Sequence, residues 1–225
     1  MTEMWKRNVL ALTFALSALW LAQAVHATPI AHLVLDSQPG DYIGGGMHFD
    51  ITYTPNNSIF FSPQIRRTIG APPEPAELLF VLGTPTGGSD NTFALLFFGT
   101  DALGIPIQPG FYPDAQRADF AAPGHPGLDV SFQNRGCNTL TGSFTIANVV
   151  FSDAAALATG SPIDRFSASF EQHCEGASPA LLGSFSYSAF AAPEPNTLVL
   201  LLSLLPLLPA WARRHRNTRG TKSPR

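Results

Sequence analysis

Between residues 28 and 192 the chain has no stretch of useful length that repeats apolar side chains at helical spacing, which argues against helices as its framework. Basic residues are also scarce there. The chain carries 13 Lys and Arg against 16 Asp and Glu, net −3. Eight of the basic residues (Lys6, Arg7 and six near the C-terminus) and two of the acidic ones (Glu3 and Glu194) lie outside residues 28–192. That leaves five against fourteen, net −9. So acidic a domain is a poor nucleic-acid binder, because phosphate must be met by basic surface; no nucleic-acid partner is expected. The charge suits attraction of Ca²⁺, or solubility alone. Tryptophan occurs only at Trp5, Trp20 and Trp211, so the central region offers Tyr42 and Tyr112 but no indole on which a sugar could stack. Cysteine occurs twice, at Cys137 and Cys174. A structural zinc site takes four ligands, and two thiols with scattered histidines do not supply them. No internal repeat is present.

Both ends of the chain are distinctive. At the N-terminus, Lys6 and Arg7 precede an apolar run of about 13 residues, Val9 to Leu21. Small residues follow at Ala22, Ala24, Val25 and Ala27. This predicts a secretory signal peptide over 1–27, cleaved after Ala27 or Ala24, with the secretion translocon and signal peptidase as partners. At the C-terminus, Pro193-Glu194-Pro195 is followed by an almost unbroken apolar run from Leu198 to Trp211, then by Arg213, Arg214 and Arg216. As a helix from Thr197 to Ala212 this run would be roughly 24 Å long, short against a bilayer core of roughly 30 Å. Leu198, Leu202, Leu205, Leu208 and Trp211 are its expected membrane-facing residues. Pro206 and Pro209 favour a kink, and the arginines read as a cytoplasmic stop under the positive-inside rule. Pro193 and Pro195 keep the preceding segment extended.

In that order and position, these three parts resemble the PEP-CTERM sorting signal of Gram-negative bacteria, a C-terminal segment also described for certain ice-binding proteins. The resemblance implies an exosortase-like membrane protease that recognises Pro193-Glu194-Pro195 and cuts near it. The protein would be anchored transiently in the inner membrane with its body outside the cytoplasm, then secreted or held at the cell surface. Such tails are linked with bacteria that make exopolysaccharide and biofilm. The expected organisation is a signal peptide at 1–27, an exported domain at 28–192, the sorting signal at 193–216 and a basic tail at 217–225.

The central region reads as all-β. Short runs rich in Phe, Ile, Val and Thr alternate with Gly, Pro, Asn and Asp clusters. Nine strands are predicted: 32–35, 47–53, 58–62, 78–82, 92–98, 128–132, 142–151, 165–172 and 181–190. Phe144, Ile146 and Val150 are expected on one face. Phe166, Ala168 and Phe170 are expected opposite Ser167, Ser169 and Glu171, with Phe185 and Tyr187 opposite Ser184, Ser186 and Ser188. This pattern predicts an antiparallel β-sandwich or jelly-roll-like body, flanked by the signal helix and a short C-terminal hydrophobic helix. The last two strands should be neighbours, joined through a turn at 175–180. The segment 71–75 reads as a stiff linker and 121–127 as a loop.

Two stretches of the body resemble a recurrent exported bacterial module of unknown function. One is Leu35 to Gly46. The other is broken, running from Pro109-Gly110-Phe111-Tyr112 through Arg135-Gly136-Cys137-Asn138 to His173-Cys174-Glu175-Gly176 and Pro179 to Gly183. The module's usual Gly-Asp-Gly approach to Arg-Gly-Cys-Asn is replaced here by Ser131-Phe132-Gln133-Asn134. It brings no established activity.

Export and a count of two predict a Cys137–Cys174 disulfide. It would close a loop of about 38 residues, contributing roughly 3–4 kcal/mol. A metal site or a thiolate nucleophile at His173-Cys174-Glu175 is the alternative. The glycines at 44–46 lack the Gly-Lys-Ser/Thr of a phosphate loop, so a turn is expected there. Carboxylate pairs for glycoside hydrolysis can be nominated from Glu171 with Glu175, or from Asp36, Asp41 and Asp50. The leading expectation is a non-catalytic envelope or matrix protein with no cofactor. A secreted polysaccharide hydrolase and a glycan- or calcium-binding module are the alternatives.

Overall fold

A computed structural model describes residues 28–87, 91–152 and 162–189. The expected signal peptide and the sorting tail, with Pro193, Glu194, Pro195, Leu198, Leu202, Leu205, Leu208, Trp211, Arg213, Arg214 and Arg216, lie outside the described residues. Among the described residues, no helix is long and apolar enough to cross a membrane.

The described chain is mostly β, as expected. Its strands are β1 (Ile30–Ser37), β2 (His48–Tyr53), β3 (Phe60–Ile69), β4 (Glu74–Gly83), β5 (Ala94–Gly99), β6 (Gly110–Arg117), β7 (Gly127–Phe132), β8 (Leu140–Phe151), β9 (Ile163–Cys174) and β10 (Leu181–Ser188). Two short 3-10 turns, Asp101–Leu103 and Ala118–Phe120, cap loops. All ten strands join one sheet in the order β2-β1-β10-β9-β8-β6-β7-β5-β4-β3. All neighbouring pairs are antiparallel except β6 and β7, which run parallel. The two faces that a sandwich would bring together therefore belong to one mixed sheet curled on itself. Three strands separate β9 from β5 in the sheet, yet the Phe98 ring on β5 lies 5.0 Å from Phe166 on β9. Likewise Phe80 on β4 lies 4.7 Å from Phe185 on β10.

The core is built from one face of each strand. Phe166, Phe170, Phe185 and Tyr187 point into it, as the alternation predicts, together with Leu33, Leu35, Leu78, Phe80, Leu82, Leu96 and Phe98. Burying one such ring contributes roughly 2–3 kcal/mol. β9 and β10 are neighbours, with Phe170 opposite Gly183. That glycine makes room for the ring: a Cβ there would come within 2.4 Å of the Phe170 Cζ. At the two ends of the sheet order stand β2 and β3. β3 carries Pro63, which lacks a donor and suits an edge.

The sequence reading departs from the structure at several places on the strands. β3 runs on to Ile69, past the expected end at 62, and pairs there with Glu74 and Pro75 of β4, so the expected linker at 71–75 is partly strand. β6 was not anticipated, because Pro109, Gly110 and Pro113 break its pattern and a bulge lies between Tyr112 and Ala115. On β8, Val150 is not in line with Phe144 and Ile146. A register shift between Ile146 and Asn148 brings Val149 opposite Phe166 and turns Val150 outward, 41% exposed. One extra residue reverses the side-chain alternation for everything after it.

Candidate functional site

The two motif stretches of the body meet at one end of the sheet. Cys137 and Cys174 form a disulfide with Cα atoms 5.1 Å apart, and both are buried. Neither is therefore a free thiolate or a thiolate metal ligand. Glu175, in the left-handed region at φ 54°, accepts hydrogen bonds from the Asn138 backbone N–H, the Thr139 backbone N–H and the Thr139 hydroxyl. The Asn138 N–H bond, ahead of the others, holds the Glu175 carboxyl below its ordinary value.

Between them lies Gln172, fully buried on the core face of β9. Its amide accepts from the Val130 N–H at 2.8 Å and donates to the Val130 C=O at 2.9 Å. It also donates to the Cys137 sulfur at 3.3 Å. β6 accompanies β7 only at Gly127 and Leu128. Beyond that point the side-chain amide takes the place of a strand for the Val130 peptide groups, which burial would otherwise leave unpaired. The Gly-Cys-Asn and His-Cys-Glu-Gly stretches thus form a clasp that ties the β7–β8 connection to the end of β9. Nothing in the alternating pattern singled out Gln172; a polar residue at a core-facing position was the available signal.

The glycine-rich stretch after β1 is a turn. Gly45 and Gly46 have φ of 62° and 79°. Asp41 is buried inside it and accepts from the Ser37 hydroxyl at 2.7 Å and the Gly44 N–H at 2.8 Å. The other nominated acids also have partners of their own. His48 pairs with Asp36, His32 lies 2.7 Å from Asp50, and His173 lies 2.9 Å from Glu171. Glu171 and Glu175 are each engaged with other groups, His173 and the 138–139 segment respectively. Among the described residues, no group of three or more His, Cys, Asp or Glu side chains converges as a metal ion would need.

A second polar cluster was not anticipated. Glu77 on β4 is fully buried, with Arg66 Nη1 3.1 Å from Oε1. Arg67 Nε stands 3.1 Å from Oε2, an ion-pair distance without hydrogen-bond alignment. Successive strand residues normally face opposite ways, but register shifts on either side of Arg67 let both arginines reach one carboxylate. Arg67 also binds Asp101 at 2.7 Å, and Arg66 binds Asp119 at 3.1 Å. Burial pushes the Glu77 carboxyl up more strongly than Arg67 and Arg66 pull it down.

The outer face of β6, β8, β9, β10, β1 and β2 is polar. One register row runs Phe111, Thr145, Ser169, Ser184, Val34 and Asp50. A shallow groove over the Thr145, Ser169 and Ser184 part of this row is lined by these three with His32, Ser167 and Ser186, and by the apolar Ala147, Ala168 and Phe185. Tyr112, nominated for sugar stacking, is instead buried, stacked on Phe144 at 4.8 Å, and donates its hydroxyl to the Gln108 C=O. Its neighbour Phe111 faces outward, 65% exposed. No family model, no curated protein and no solved structure matches the chain.

Proposed function

We propose that this is an exported, non-catalytic protein of the cell envelope or extracellular polymer matrix, sorted and cut by an exosortase-like membrane protease. The observation that carries the reading is the order of the C-terminal parts: Pro193-Glu194-Pro195, an apolar run, then Arg213, Arg214 and Arg216. In this reading 1–27 is a cleaved signal helix and 198–211 a short membrane helix; the disulfide suits an oxidising compartment. Replacing Pro193, Glu194 and Pro195 with alanine is expected to hold the protein in the membrane fraction while wild type is released. Equal release of both would refute the sorting.

A second reading, a glycan-binding module, is favoured by one observation. The exposed Phe111 ring stands at the head of a row holding the Thr145, Ser169 and Ser184 hydroxyls. Neighbouring strands place such groups about 4.8 Å apart, and an aromatic face beside hydroxyls suits a sugar chain. In affinity electrophoresis through gels containing polysaccharide, the protein should then be retarded and the Phe111→Ala variant should not. Equal mobility of the two would remove this reading.

A further inference from the structure

We infer that the end of the body carrying both of its chain termini rests on the lipid surface while the tail is anchored, an inference that builds on the sorting reading above. β1 begins and β10 ends side by side, with Ile30 opposite Ser188. The chain therefore enters and leaves the body at one place. Eight residues lie between Ala189 and Leu198, a span of at most about 30 Å when fully extended. With Leu198 in the bilayer, this end of the body is confined to the membrane's immediate neighbourhood.

The same end exposes apolar side chains among polar ones such as Asn56 and Asn57. The β2–β3 connection follows Tyr53, which lies opposite Ala31, and presents Ile59 at 70% exposure, next to Phe60 at the start of β3 at 41%. The Phe60 ring packs on Phe93 with centroids 5.6 Å apart. The next residue, Phe61, reaches Tyr187 at 6.0 Å, which places this connection beside the end of β10. In register with Ser188 stand Arg165 and, across from it, Val150, the residue that the β8 bulge turned outward. Asp164, the neighbouring acid, has Oδ1 occupied by the Ser152 hydroxyl. Ile59 and Phe60 in one part of this end, and Val150 beside the exposed Arg165 in another, are side chains that suit a headgroup boundary, the apolar groups shallowly inserted and the cation among phosphates. The other exposed rings lie elsewhere: Tyr42 stands in the glycine-rich turn after β1, Phe120 follows β6 with the Arg117 guanidinium 5.0 Å from its ring centre, and Phe111 belongs to the hydroxyl row. Seated this way, the body holds Pro193, four residues beyond Ala189, close to the bilayer where a membrane protease works.

The test uses the full chain reconstituted in vesicles of phosphatidylethanolamine and phosphatidylglycerol, with a benzophenone photo-crosslinking residue at position 59, 111 or 202. Co-flotation with the vesicles and lipid adducts at 202 report the anchor by themselves. Position 59 is expected to give several-fold more lipid adduct than position 111, and Arg165→Glu should lower that yield. Adducts at 202 with equal yields at 59 and 111 would overturn the seating and leave the anchor standing. Absence of co-flotation and of adducts at 202 would overturn both.

Discussion

Gln172 and Glu77 are both fully buried, yet the fold treats them differently. Gln172 is neutral, and its amide meets a peptide N–H, a peptide C=O and a sulfur. Burial in low dielectric strengthens such bonds and adds no charge to desolvate. Glu77 is charged when ionised, and two arginines do not fully offset its removal from water, so its carboxyl is pushed up. A raised acid is one that the fold prefers protonated. Its contribution to stability is fully present below the unfolded pKa and is lost as pH rises through the folded pKa. Asp129 behaves the same way, with burial again outweighing Arg117. Glu175, lowered by its hydrogen bonds, has the opposite sign: its contribution is present above the unfolded pKa and lost as pH falls through the folded one. The Gln172 amide contacts carry no titrating group, whereas Glu175 beside them and the Glu77 cluster do.

An apolar loss sets the scale for both sites. Phe170→Ala should cost about 3–5 kcal/mol in a denaturant melt, a large part of a domain stability of roughly 5–15 kcal/mol. An unchanged midpoint would mean that this ring does not fill the core above Gly183.

Arg67→Ala should come next. Breaking a buried pair costs about 3–5 kcal/mol, and the low end is expected because Arg67 is partly solvated and Arg66 remains. This cost should shrink when the melt is repeated at mildly acidic pH, where Glu77 can take a proton. A cost independent of pH would show that Glu77 is not what Arg67 compensates.

Gln172→Leu should cost about 2 kcal/mol, because it leaves the Val130 N–H and C=O buried without partners. That loss should be the same at neutral and acidic pH. If acidification rescues the variant, the clasp is coupled to a titrating group and the contrast between the two sites fails.

At the small end, Ser167→Ala should leave the melt nearly unchanged, since Ser167 lies on the outer face. A clear loss there would place the outer face of β9 under a constraint the register does not show.

Much of the fold was legible in the chain, and its limits are physical. Alternation in Phe166–Phe170 and Phe185–Tyr187 identified the buried face, because a half-buried strand must separate apolar from polar side chains every second residue. A count of two cysteines, both in the β-rich region, pointed to the disulfide. Val150 was misplaced because a bulge is a backbone event that leaves no mark on side-chain type. Tyr112 and Phe111 were told apart only by the irregular strand that carries them.

Sequence alone determined the all-β character, the pairing of β9 with β10 and the acidic balance of residues 28–192, since each rests on local order or on composition. Only the tertiary structure decided that ten strands form one curled sheet with a parallel pair. It also placed Gln172 against Val130, 42 residues earlier, and gathered Arg66, Arg67, Asp101 and Asp119 around Glu77. These contacts join residues far apart in the chain, and they are selected by the burial of peptide groups and charges that no local pattern records.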